Sequence, residues 1–368
     1  MTVGAALLIY AAVLGLLGSS GHLGRRHFDW LARSPRLGAT LLVVAGWSAL
    51  TALFLAGLTI AMPTTALSNG LSDVLGACIV RLRAAYATPG GAAVAGAGFT
   101  LSTTIAARIA WATLKVTRVR RTEGRRQRTL IALSGRAAAD LDAVILDHPH
   151  PAAYCLSGAD RTVILTRGAL ELLTRPQVEA VLAHEQAHLR ARHHRLLALA
   201  AVAARAVPEL PLMRDLNARV GSLLEMDADD RAAGTHDAEH LATALVAVAG
   251  ARSAPLRTAD STTALAVSEG DTVGRIRRLL TPPTALSASR RRTVRGAITA
   301  LALLPVLVAV TPAAVAAGQP PVRTTVTASV PAALVSSVPA SVASMARPAA
   351  PPRTGAGIAG QLALARFS

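Results

Sequence analysis

The sequence is short of charge, of lysine and of cysteine. Charged residues make up 16% of its 368 positions, against 52% hydrophobic. That balance argues against an ordinary water-soluble domain and calls for membrane-spanning segments. Lys115 is the single lysine, so the net charge of +17 is carried by arginine. The arginines flank apolar runs and no recognition motif accompanies them. They are therefore read as membrane topology, and direct nucleic-acid binding is not expected. Coding this rich in alanine and arginine, with so little lysine, points to a high-GC bacterial genome. Cys78 and Cys155 are the only cysteines. The topology derived below puts them on opposite sides of the bilayer, which argues against a mutual disulfide.

What is abundant is apolar sequence in long runs. Four stretches can span a bilayer, which needs about 20 apolar residues. The first, residues 3–19, is near the lower limit. No Lys or Arg precedes it and no small-residue cleavage site follows, so an uncleaved span is expected in place of a signal peptide. The second covers residues 37–62. The third, about 92–114, carries Arg108 near its C-terminal end, where the side chain is expected to snorkel to the interface. The fourth, 296–317, contains Pro305 and Pro312. Arg25, Arg26, Arg33 and Arg36 follow the first span, and only Arg81 and Arg83 lie between the second and third. The segment "KVTRVRRTEGRRQR" follows the third span, and Arg290, Arg291, Arg292 and Arg295 precede the fourth. The basic segments thus share one side, the cytoplasm, with both termini outside. The expected organisation is three spans over 1–115, a cytoplasmic domain over 116–295, a fourth span over 296–317 and a disordered extracytoplasmic tail over 318–368.

Within the cytoplasmic part, "DAVILD" (Asp142–Asp147) reads as a strand. Ala153–Leu156 and Arg161–Thr166 read as a hairpin around Gly158. "GALELL" is a helical turn. Thr174 and Gln177 form a capping box, with Pro176 in the first turn, and open a helix expected to run to about Val207, where Pro208 and Pro211 stop it. Further helices are expected over Ser222–Gly234 and Glu239–Gly250.

The first of these helices contains His184-Glu185-Gln186-Ala187-His188. Residues four apart sit one turn above each other, so both imidazoles can reach one ion, with Glu185 beside them and able to reach a water on that ion. On zinc such a water ionises near neutral pH, and a carboxylate in the place of Glu185 takes its proton. The bland alternative is the solvated face of an amphipathic helix. A catalytic zinc needs a third protein ligand, and downstream acids are few. Glu209 sits between prolines, and Glu239 and Glu269 have no supporting pattern. Glu225, in "EMDAD", has Asp229 on the same face four residues on: Glu225 as ligand, Asp229 as partner of a ligating histidine's other N–H. The alternative is an acidic solvent face helped by Asp227 and Asp230. His193 and His194 read first as basic residues near a membrane surface, His148 and His150 as loop residues, and Cys155 as a small buried strand residue. The strand Arg161–Thr166 is a candidate to pair with an extended substrate.

"HEQAH" followed by "EMDAD" resembles the H-E-x-x-H … E-x-x-x-D pattern of integral-membrane gluzincins, among them HtpX and the CAAX prenyl protease. Three spans, a basic loop, a cytoplasmic zinc domain and a fourth span look more like the BlaR/MecR family of sensor metallopeptidases. "AAYCLSGADRTVILTRGAL" resembles the strand-turn-strand before the zinc helix in these families, and His193 falls where they often carry His or Asp. The resemblance implies an α-helical membrane protein with an inserted α+β zincin-like cytoplasmic domain. It implies one zinc on His184, His188 and Glu225, Glu185 as base and Asp229 in support. It also implies a protein or peptide substrate, such as a transcriptional repressor cut in signalling, or the chain itself. A quality-control protease and a non-catalytic receptor keeping the zinc helix are the rival readings. The penicillin-binding sensor domain of BlaR/MecR proteins has no counterpart here, and no S-x-x-K serine is recognisable, so β-lactam sensing is not implied.

Overall fold

The computed structural model describes residues 3–17, 30–61, 90–156, 162–253 and 272–317. All of them fall within one compact unit, Met1–Gln319. The expected tail, Gly158, Arg161, Glu269 and Cys78 lie outside the described residues.

The apolar runs form helices α1 (Val3–Leu17), α2 (Pro35–Ala61), α3 (Gly91–Ser134) and α10 (Ala288–Ala317). Among the described residues, three helices are long and apolar enough to cross a membrane: α2, α3 and the Ala288–Thr311 stretch of α10. At 15 residues α1 falls short of that length, so the first of the four expected spans, residues 3–19, is not among them. Exposed Leu16, Phe99, Trp111 and Leu307 line the outward faces of this bundle. That apolar surface suits lipid and not water.

Small residues let α2 and α3 touch. A Cβ on Gly98 would lie 2.6 Å from the Gly57 carbonyl oxygen, and Ser102 donates to the Phe54 carbonyl at 2.9 Å. Pro305 sits inside α10 and has no N–H for the Leu301 carbonyl one turn back. Buried Ser48 of α2 supplies the missing donor at 2.6 Å and accepts from the Tyr10 hydroxyl of α1 at 2.8 Å, joining three helices through one hydroxyl.

The third apolar helix does not end near residue 114. The basic stretch after it continues α3 to Ser134, 44 residues in all, or about 66 Å at 1.5 Å per residue. A four-stranded sheet follows: β1 (Gly135–Ala138), β2 (Ala143–Leu146), β3 (Ala153–Leu156) and β4 (Thr162–Thr166), in the order β1-β2-β4-β3. The β3–β4 hairpin is antiparallel, with Cys155 opposite Val163, and β2 and β4 are parallel, with Val144 opposite Ile164. β4 therefore has both edges paired and is buried along its length. This corrects the expectation that it receives an extended substrate. The free edge on that side is β3, which lies along the helix carrying the histidines.

Thr166 closes β4 and caps α4 (Arg167–Leu172), its hydroxyl accepting from Ala169 N–H. Gln177 accepts from Thr174 N–H at 2.9 Å and opens α5 (Arg175–Arg190). The expected continuation to Val207 is broken. Arg192 adopts left-handed backbone (φ 54°, ψ 41°), and a separate helix, α6 (His193–Ala206), follows. Pro211 starts the next helix, α7 (Pro211–Ala233), eleven residues before the expected Ser222. After α8 (Ala238–Ser253) comes α9 (residues 272–280), which the sequence reading missed.

The division into spans and a separate domain from residue 116 is not a packing boundary. One core cluster joins Val43 and Leu50 of α2, Ile105 and Ala112 of α3, Ala203 of α6 and Leu216 and Leu224 of α7. The α6–α7 corner reaches far along the bundle: a Cβ on Gly15 of α1 would come within 3.0 Å of Leu210. Arg108 does not simply extend to an interface. It donates to the Ala206 carbonyl at the end of α6 and pairs with Glu209, both at 2.6 Å.

Candidate metal centre

α5 and α7 cross so that three side chains meet. His184 and His188 turn their Nε2 atoms to within 3.1 Å of each other. The two Glu225 carboxylate oxygens face them, one 3.5 Å from His184 Nε2 and the other 3.5 Å from His188 Nε2. These three are the group whose donor atoms could hold a metal ion among the described residues. A tetrahedral ion with ligands near 2.05 Å places them about 3.3 Å apart, so the donor set and its spacing fit zinc. Glu185 is mostly buried beside them, and the Cys155 thiol of β3 lies against its carboxylate.

The surroundings hold these groups tightly. Asp229, fully buried, lies 2.9 Å from His184 Nδ1, although the contact is not aligned as a hydrogen bond. His193 is buried as well: its Nδ1 is 3.0 Å from His188 Nδ1 and its Nε2 2.9 Å from Asp227. Arg231 donates to the same Asp227 oxygen at 2.8 Å. Arg275 of α9 donates to Asp229 through Nε and a terminal nitrogen, at 2.7 and 2.8 Å, and reaches Glu225 at 3.1 Å. Arg36, at the start of α2, donates to the Ala191 carbonyl at 3.0 Å and lies 3.9 Å from Asp227.

The electrostatics follow from burial and these partners. Burial disfavours charge on both imidazoles. At His188 it prevails and the pKa falls to about 4; at His184 the Asp229 and Glu225 carboxylates outweigh it and raise the pKa to about 9. Burial also resists ionisation of Glu225 and Asp229, yet their histidine and Arg275 partners bring both down to about 2. At Glu185 burial outweighs the opposing pull of His184, Cys155 and Arg275 and pushes its carboxyl above the usual glutamate value. Burial and then Glu185 push the Cys155 thiol up to about 12, so it stays a neutral thiol.

His184, Glu185, His188, Glu225 and Asp229, all candidates from the sequence, thus come together. His193 belongs with them and not at a membrane surface, and Asp227, taken for an acidic solvent face, is buried against it. Arg275 had no signal: it sits in a short helix far along the chain. Glu209 is engaged by Arg108, Glu239 starts α8, and His148 and His150 pack on each other in a loop with ring centroids 5.3 Å apart. None of these four touches the cluster.

Residues 120–244 match the model of peptidase family M48, which supports a zinc metallopeptidase. The matched segment contains every residue of the cluster except Arg275 and Arg36. No curated protein and no solved structure matches the chain.

Proposed function

We propose that this chain, with its central third similar to peptidase family M48, is a membrane-bound zinc endopeptidase. The observation that carries the reading is the convergence of His184, His188 and Glu225 at tetrahedral-edge spacing, with the Glu185 carboxyl beside them. His184, His188 and Glu225 would hold one zinc. A bound zinc lowers the pKa of its water towards 7 and polarises a peptide carbonyl. Glu185 would serve as the general base and acid of the hydrolysis, holding the proton between the attacking water and the leaving amine. Its burial suits that task, because a carboxylate with a raised pKa is a stronger base. Asp229 and Asp227 orient the imidazoles, the first directly and the second through His193. The half-buried, unpaired edge of β3 can receive the substrate backbone as an added strand, in register with the Cys155–Glu185 contact.

On the arginine distribution we read the site as facing the cytoplasm. The layout of spans around the zinc helix resembles sensor metallopeptidases, so the substrate class we propose is a cytoplasmic regulatory protein, such as a repressor, or the chain itself. The test is a pair of variants assayed in full-length protein. Glu185→Gln keeps about one zinc per chain and loses hydrolysis by at least about a hundredfold; His188→Ala loses the zinc as well. Hydrolysis that survives Glu185→Gln would falsify the reading.

A further inference from the structure

Beside the candidate centre runs a groove of about 910 Å³ between α3, α6 and the C-terminal end of β3. Trp47, Val116, Leu199 and Val202 give it an apolar wall, and Cys155 and Leu156 open it towards Glu185. Its other wall is the cytoplasmic extension of α3, which contributes Arg120, Arg121, Arg125 and Arg128. Positions 121, 125 and 128 fall at spacings of four and three, one stripe of a helix. The side chains of Arg121, Arg125 and Arg128 form no ion pair among the described residues. Arg120 is fixed by donating to the His194 carbonyl at 2.8 Å. The one acid in the lining, Glu123, accepts from Gln127 at 3.1 Å.

Gly124 stands in the middle of this stripe. Inside a helix it costs about 1 kcal/mol relative to alanine. Nothing in the fold asks for it: its φ is not positive, and a Cβ there would meet nothing within 4 Å. A missing side chain amid four arginines leaves a notch at which an occupant can approach the helix. An apolar floor, a cationic wall, an open notch and continuity with Glu185 describe a seat for a chain with apolar and acidic side chains.

We infer that this groove is a substrate subsite that binds an extended acidic peptide segment. The inference rests on reading the centre as a peptidase. A peptide added antiparallel to β3, the pairing β4 already makes with it, runs its N-terminal part past Leu156 and into the groove. The acidic residues therefore lie on the N-terminal side of the bond to be cut. Their carboxylates meet the arginine stripe, and an apolar neighbour packs towards Trp47 and Val202. Attraction of this kind raises the association rate and fixes register, and it weakens with salt.

The test measures binding separately from cleavage. Full-length zinc-loaded Glu185→Gln protein in phosphatidylcholine nanodiscs is titrated into fluorescein-labelled peptides of roughly twelve residues. One carries a run of glutamates before a leucine-phenylalanine pair; the others carry glutamine or lysine instead. The glutamate peptide is expected to bind at least about tenfold more tightly than the glutamine peptide, with the margin shrinking as salt rises. Changing Arg121, Arg125 and Arg128 together to Glu moves the preference to the lysine peptide, and Gly124→Leu weakens binding of the glutamate peptide. Zinc content and circular dichroism check that these variants fold. Equal binding of the glutamate and glutamine peptides overturns the inference, and so does a preference that survives the charge reversal. A reversal that changes only retention on phosphatidylglycerol vesicles overturns it too, and marks the stripe as a lipid contact. If the binding pattern holds but wild-type protein cleaves none of these peptides, the groove stands and the peptidase reading falls.

Discussion

His193 reaches the candidate metal centre only because the helix before it stops. On an unbroken helix, a residue five places after His188 points roughly 140° away from it. The left-handed Arg192 swings His193 back, so that it stands between His188 Nδ1 and Asp227. Nothing at Ala191-Arg192 announces that break, since neither Gly nor Pro occurs there. Asp227→Asn is therefore expected to weaken zinc binding by about 10–100-fold without abolishing it, as measured by chelator competition. A solvent-facing aspartate would give no change. Glu185 makes a second expectation possible. As the proposed base it would work only when ionised, and burial raises its pKa. The acid limb of kcat/KM against pH should then rise with increasing pH through a midpoint above that of an ordinary glutamate, about 4.3. At this scale, residues joined by local spacing were legible: His184, Glu185 and His188 on one helix, Glu225 and Asp229 on another. Arg275 and the buried state of Asp227 depend on how distant helices cross, and no spacing encodes that.

Among the elements, the loop between β2 and β3 is anchored through the start of α4. Gly168 N–H donates to the His148 carbonyl at 3.0 Å, and a Cβ on Gly168 would collide with the Pro149 carbonyl oxygen. Backbone cannot yield as a flexible side chain does. Gly168→Ala is accordingly expected to cost about 1–3 kcal/mol, read as a lowered thermal midpoint in detergent. The strands β2, β3 and β4 were legible from short apolar runs bounded by turn residues. Which strand would be the free edge was not, because sheet order is set by packing on α5. The extent of α3 was hidden for a different reason. Its second half is dense in arginine, which reads as a loop beside a membrane, yet arginine is a good helix former and continues the helix outwards.

Across the molecule, Ser48 holds a position that neither its own helix nor its neighbours can replace. It is the donor for the carbonyl that Pro305 leaves unpaired, and it accepts from Tyr10. Ser48→Ala is expected to destabilise the bundle by about 1 kcal/mol in detergent. The companion change Pro305→Ala, which restores an N–H to α10, should recover much of that loss. The three long apolar helices were evident from composition alone. Their sharing of a core with α6 and α7 was legible only as one of two readings, since "LLALAAVAARAV", apolar nearly all round and too short to span, could bury in the domain or press against the spans.

That shared core has a practical corollary. Leu216, Leu224 and Ala203 are buried in a cluster that takes in α2 and α3 as well as α6 and α7 themselves. Cutting the chain at the membrane face would leave those residues wet and remove Arg36 from Asp227. A purification that strips these helices would discard part of the candidate centre's own scaffold.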